Sequence, residues 1–90
     1  MNKAQLVARI AKDTGLTKAR ANRAMDAFVD IVTKSLRRGD RVTLVGFGTF
    51  IVSRRKARSV RNPHTGAPMK IPARRVPRFA AGKDLKKSIS

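Results

Sequence analysis

The sequence predicts an α+β fold in which helices are followed by antiparallel strands. Three observations predict it. Apolar residues recur at helical spacing up to Gly39. From Asp40 onward their spacing changes to two residues, which is typical of strands. Residues 53–75 then carry cations on successive positions, and a segment charged on both faces has no place in a hydrophobic core.

Two helices are expected in the first half. Asn2 and Gln5 have the spacing of a capping box, so the first helix begins there. Gly15 suits a left-handed C-cap. Thr17 can cap a second, longer helix that Gly39 ends. The apolar face of this second helix is too large for the first helix to cover, so we expect it to pack against another surface as well.

The second half predicts strands and one short helix. Residues 41–44 form a short strand, and Gly46-Phe47-Gly48 makes a tight turn into a strand that starts at Thr49. Residues 62–66, Asn-Pro-His-Thr-Gly, are a dense turn signal, and residues 67–76 return. A helix is expected over Lys83–Ile89, after Gly82.

The simplest arrangement of the cationic segment is a two-stranded ribbon with its tip near Pro63. Pro68 and Pro72 are an even number of residues apart, so in a regular strand both missing N–H groups lie on the same, free edge. This leaves the other edge for pairing. A disordered basic loop in the absence of a partner stays open, because an isolated ribbon is only marginally stable.

Size and composition favour a dimer. Ninety residues form one domain at most, and such a chain buries only about 60–65% of its unfolded surface. Because there is no cysteine, neither disulfides nor a thiolate metal site can compensate. A partner subunit is the remaining common source of stability.

The charge indicates a polyanionic partner. Lys and Arg number 22 against 5 acids, a net charge of +17, and no acid lies between residues 41 and 83. No apolar run approaches the ~20 residues of a membrane span, and no signal-peptide core follows Met1. We therefore expect a cytoplasmic, nucleic-acid-binding protein without a membrane role.

Catalysis finds little support. His64 is the one histidine and lies at an exposed turn. Asp30 precedes Lys34 by four residues, which indicates a helix ion pair rather than a cation shared with Asp26. Gly46-Phe47-Gly48 lacks the third glycine of a dinucleotide loop. We predict no enzyme activity, no cofactor and no metal.

The cationic segment suits double-stranded DNA. Single-strand and RNA readers stack bases on aromatic side chains, and none lies between residues 51 and 76. Arginines fit the narrow minor groove, and Pro63, otherwise a turn former, can act as a wedge between base pairs. RNA stays open as a secondary partner. The four phenylalanines are predicted core residues: Phe28, Phe47, Phe50 and Phe79.

The chain resembles the bacterial histone-like HU family over its whole length. The residues that carry the resemblance are Met1–Lys3, Gly46–Phe50, Arg55, Arg58, Arg61–Gly66, Ile71–Ala73, Val76–Phe79 and Gly82–Lys86. The resemblance implies an intertwined homodimer, or a heterodimer with a paralogue, with two arms per dimer. It assigns residues 1–39 to a helical dimerisation part, 40–52 and 76–82 to a saddle-shaped sheet, 53–75 to a DNA-binding β arm and 83–90 to a C-terminal helix.

The resemblance also implies roles for residues. Pro63 is the intercalating wedge, and Phe28, Phe47, Phe50 and Phe79 form the dimer core. The expected DNA-binding residues are Arg54, Arg55, Lys56, Arg58, Arg61, Asn62, Pro63, Lys70, Arg74 and Arg75 on the arm, with Lys3 and Lys83 on the body. Val60 and Pro68 depart from the small and polar residues usual in the family, and this arm lacks glutamate.

Three modes of DNA binding can be distinguished. The favoured one is largely sequence-independent bending and compaction of nucleoid DNA, with a preference for bent or nicked duplexes. A site-preferring bender such as integration host factor is the alternative within the same fold. A helix-turn-helix repressor would leave the cationic ribbon unexplained, and its recognition helix would be too long and too apolar.

Overall fold

The computed structural model describes all residues from Met1 to Ser90, and the predicted α+β fold is confirmed. Three helices and five strands follow in the order α1 (Lys3–Thr14), α2 (Lys18–Arg37), β1 (Val42–Leu44), β2 (Gly48–Arg55), β3 (Arg58–Arg61), β4 (Pro68–Ile71), β5 (Arg74–Ala81) and α3 (Lys83–Ile89).

The predicted helix ends are confirmed by their hydrogen bonds. Asn2 and Gln5 form both bonds of the capping box at the start of α1. Gly15 ends that helix at φ +76°, a left-handed conformation that costs glycine no steric strain. Thr17 Oγ1 accepts the backbone N–H of Arg20 at 3.1 Å, which caps α2.

The last turn of α2 closes in a Schellman motif. Gly39, at φ +85°, donates its N–H to the carbonyl of Leu36 at 3.0 Å, and Asp40 donates to that of Ser35 at 2.9 Å. This pair of bonds leaves the carbonyl of Arg37 without a backbone donor.

The chain divides into two compact units, residues 1–34 and 35–90, so the boundary falls inside α2 rather than at its end. In the first unit, α1 and α2 enclose a small core of Val7, Ala11 and Ala21. These three are the only buried hydrophobic residues of the whole chain. A single chain therefore has very little core.

The second unit is built on a three-stranded antiparallel sheet in the order β1-β2-β5. The first strand starts at Val42 and the second at Gly48, one residue from the expected positions. Gly48 is buried and pairs with Leu44 on one side and Ala81 on the other, which draws it out of the turn and into the ladder.

Gly48 leaves no room for a side chain. A Cβ there would lie 2.5 Å from Phe79 Cζ and 2.6 Å from the Ala80 carbonyl oxygen. Because that oxygen is backbone and cannot step aside, we expect Gly48→Ala to lower the free energy of unfolding by about 3 kcal/mol. Gly15→Ala, which meets only φ strain in open space, should cost about 1–2 kcal/mol. Urea unfolding would measure both, and an equal cost would contradict the steric argument.

The arm is the continuation of β2 and β5. The sheet runs unbroken to the pair Arg55–Arg74, so no structural boundary separates residues 52 and 53. After a gap the ribbon resumes in the same register. Arg58 lies three residues after Arg55 and pairs with Ile71, which lies three residues before Arg74.

The prediction of one continuous return strand over residues 67–76 is wrong in one respect, because the structure divides it between β4 and β5. Pro68 opens β4 opposite Arg61, but Pro72 lies in the gap between β4 and β5. Pairing with the opposite strand stops there and resumes at Arg74.

Candidate nucleic-acid interface

The tip of the arm is a hydrogen-bonded turn built on Asn62. Its side-chain oxygen accepts the backbone N–H of His64 at 2.8 Å and that of Thr65 at 3.4 Å. Its carbonyl accepts the N–H of Gly66 at 2.8 Å. Pro63 lies exposed on this turn, as does His64. Asn62, expected to bind DNA, is half-buried, and its side-chain oxygen supports the turn.

The outer half of the arm has two different faces. In the β3–β4 ladder Val60 faces Met69 and Arg58 faces Ile71, so these four residues share one face. Val60 and Ile71 are half-buried, which shows that the larger residue at position 60 packs within the ribbon. On the opposite face lie Ser59, Arg61, Pro68 and Lys70.

The base of the arm places like charges opposite each other. Arg54 faces Arg75, and Arg55 faces Arg74. Directly opposed like charges destabilise a strand pair, so an anion between them would stabilise this part of the ribbon. Lys56 follows in the gap and is exposed, as are these four arginines.

Most of these cations line one open hollow. It brings together Arg54, Arg55, Lys56, Arg58 and Arg74, and its remaining wall is formed by Ser53, Ile71, Pro72 and Arg78. Arg78 was not among the predicted site residues. The two-residue period of a strand could have identified it, because Arg78 lies four residues after Arg74 and therefore on the same face of β5.

Arg75 is placed differently from the other arm cations. Its Nη2 donates to the carbonyl oxygens of Leu36 and Arg37, both at 2.9 Å. These are carbonyls of the last turn of α2, where a cation also meets the negative end of the helix dipole. The group predicted to bind DNA is therefore already engaged within the protein.

The two predicted body contacts lie in different units. In the first, Lys3 Nζ forms an ion pair with Asp26 Oδ1 at 2.5 Å, and both side chains are more than half exposed. Exposed pairs of this kind contribute little to stability, typically below about 1 kcal/mol. In the second, Lys83 is exposed at the start of α3.

Internal acids do not neutralise the arm. Four of the five acids form ion pairs, all with cations outside the arm: Arg9–Asp13, Lys3–Asp26, Lys34–Asp30 and Arg38–Asp40. The predicted pair of Asp30 and Lys34 is confirmed at 3.0 Å. The positive charge of the arm is left for an external anion.

The phenylalanines of the second unit form one cluster. The ring of Phe79 lies 5.2 Å from that of Phe47 and 5.0 Å from that of Phe50, tilted in both cases. Phe47 and Phe79 nevertheless remain 45% and 42% exposed, and Phe28 in the first unit 39%. In the single chain these rings are an incomplete core.

The fold offers neither a membrane span nor a metal cluster. No helix has the length and apolar character needed to cross a membrane. No three side chains of the metal-ligating types cluster together.

Comparisons with known proteins agree with this geometry. The family described as "Bacterial DNA-binding protein" matches residues 1–90. DNA-binding protein HU-beta of Serratia marcescens is 53% identical over the full length of both chains, and DNA-binding protein HU of Geobacillus stearothermophilus is 49% identical over 99% of both. An Anabaena HU–DNA cocrystal structure has a TM-score of 0.91 at 43% identity, covering 100% of this chain and 98% of that one. HU from Thermotoga maritima has a TM-score of 0.73 at 30% identity, covering 100% of each chain. The chain therefore belongs to the HU family of bacterial DNA-binding proteins.

Proposed function

We propose that the protein is a non-catalytic, architectural DNA-binding protein of the nucleoid, which bends duplex DNA with little regard for sequence. The observation that carries this proposal is the arm: a β ribbon with exposed, unneutralised cations that ends in a proline turn. The structural relative crystallised with DNA supports DNA as the polyanion.

The working unit that we propose is a homodimer. Only three small or medium apolar residues are buried in the single chain, whereas Phe47, Phe79 and Ile31 are 45%, 42% and 61% exposed. Exposed apolar surface of this extent is typical of a subunit interface. Two copies would also supply two arms, so that a duplex is held from both sides.

We propose minor-groove binding by Arg55, Arg58 and Arg61, with Pro63 as the wedge. Base-edge patterns in the minor groove are degenerate, so binding there reads little sequence. Bending a 20–30 base-pair site by 40–90° costs on the order of 1–6 kcal/mol, which arginine–phosphate contacts and counterion release offset. A nick lowers this cost, and we therefore expect tighter binding to nicked duplexes.

The wedge is tested by Pro63→Ala. Because the substitution removes the rigid ring but no charge, it should reduce the bend angle strongly and the affinity only slightly. Energy transfer between dyes at the two duplex ends measures the bend, and fluorescence anisotropy measures affinity on nicked and intact duplexes. His64→Ala, the next residue on the same exposed turn, is the matched control. An unchanged bend angle, or equal affinity for both duplexes, would refute the wedge.

A further inference from the structure

We infer that Arg75 is a positioning residue, which fixes the base of the arm to the last turn of α2 and thereby sets the direction in which the arm leaves the sheet. The inference rests on the proposed function, in which the arms bend DNA. It separates Arg75 from its cationic neighbours, with which the sequence alone groups it as a DNA contact.

The hydrogen bonds of the α2 end show which carbonyl groups are available to Arg75. The carbonyl of Leu36 accepts from Gly39, and the Schellman motif supplies no donor to the carbonyl of Arg37. Arg75 Nη2 reaches both oxygens at 2.9 Å and so satisfies a backbone group that the motif leaves over. Hydrogen bonds from a charged donor are about twice as strong as neutral ones.

Because of the position of Arg75 in the ladder, this contact can influence the direction in which the arm leaves the sheet. Arg75 is the second residue of β5 and pairs with Arg54, at the point where the three-stranded sheet has become a two-stranded ribbon. Among the side chains of β4 and β5, that of Arg75 alone forms hydrogen bonds outside the ribbon, and these span 38 and 39 residues of sequence.

The guanidinium group of Arg75 lies next to Gly39 at the helix end. A Cβ on Gly39 would lie 3.8 Å from Arg75 Nη2, an ordinary van der Waals contact, so the guanidinium group packs beside this residue. Arg74, one residue earlier, belongs to the opposite face of the strand and lines the cationic hollow. Arg75 borders a second hollow with Arg54, Arg55, Lys56 and Arg74, but its Nη2 is hydrogen-bonded to the two α2 carbonyls. Adjacent arginines thus have different tasks: one faces the anion and the other holds the strand.

The test compares Arg75→Gln with Arg74→Gln, which removes the same charge from the neighbouring position. The readouts are the slope of log affinity against log salt, the bend angle at saturating protein, and the melting temperature. We expect Arg75→Gln to keep the wild-type salt slope, to lower the bend angle, and to lower the melting temperature by roughly 5–10 °C. Arg74→Gln should reduce the slope by about 0.9 for each phosphate that is no longer neutralised, and should leave the melting temperature unchanged.

Two results would overturn the inference. A decrease in slope for Arg75→Gln equal to that for Arg74→Gln would make Arg75 a DNA contact. A lower melting temperature with an unchanged bend angle would make it a stabilising residue without influence on the arm. If neither variant, nor neutralisation of the arm arginines, altered the slope, the proposed function itself would fail.

A measurement on the wild-type protein does not depend on how a variant folds. The Nη2–H resonances of Arg75 should exchange with water more slowly than those of Arg74 before DNA is added, because they are hydrogen-bonded, and should keep their shifts during a DNA titration. Those of Arg74 should shift. Movement of the Arg75 resonances together with those of Arg74 would contradict the assignment.

Arg75→Lys, which keeps N–H donors near both carbonyls, should recover most of the bending that Arg75→Gln removes.

Discussion

Replacing Arg55, Arg58 and Arg61 together by glutamine is expected to abolish most of the DNA affinity. These side chains are exposed, and no acid of the protein neutralises them. Each phosphate contact contributes about 0.9 to the slope of log affinity against log salt, or roughly 5-fold in affinity at 0.15 M salt relative to 1 M. Removing three such interactions then weakens binding on the order of 100-fold per arm.

Fluorescence anisotropy over a salt series would measure this decrease. The matched control is Lys12, Lys86 and Lys87→Gln, which lowers the net charge equally but lies outside the arm. If binding depended on net charge alone, both triple variants would bind with the same reduced affinity, and the arm would have no special role. A wild-type slope near one would likewise contradict an extended interface, since it would mean that about one phosphate is neutralised.

The second large effect is expected from Phe79→Ala. This ring contacts both Phe47 and Phe50 and is the centre of the aromatic cluster. Truncating a phenylalanine in a core costs about 3–5 kcal/mol, a large part of the roughly 5–15 kcal/mol that is typical of a whole domain. Because the proposed dimer completes this core, folding and association should be lost together.

Circular dichroism melting at several protein concentrations, combined with analytical ultracentrifugation, tests this expectation. The wild-type melting temperature should rise with concentration, as mass action requires of a dimer. Phe79→Ala should melt much lower, whereas Met69→Ala, an apolar truncation on the arm, should retain the dimer. A monomeric wild-type protein, or a dimer that tolerates Phe79→Ala, would show that the exposed rings serve another purpose.

Local signals in the sequence were sufficient for most elements. The capping residues Asn2, Gly15 and Thr17 and the ribbon tip near Pro63 lie where their side chains and preferred dihedral angles require. These features depend only on residues a few positions away along the chain, and such residues can be read directly from the sequence. The cationic composition of the arm was equally visible.

Features that depend on distant neighbours were not predictable from the sequence. The task of Arg75 depends on carbonyls almost forty residues away, so composition groups it with the other cations of the arm. The even spacing of Pro68 and Pro72 predicts a regular strand, but the ladder is interrupted at Pro72 instead.

The interruption between Arg55 and Arg58 has a mechanical consequence. A β ribbon resists bending least where interstrand hydrogen bonds are missing. The outer half of the arm, β3 and β4, can therefore turn about this joint, whereas the inner half, at the end of β2 and the start of β5, stays fixed to the sheet. Since the register is preserved across the joint, swivelling does not exchange the two faces of the outer half. One arm could in this way follow grooves of unequal width, as the proposed sequence-independent binding requires.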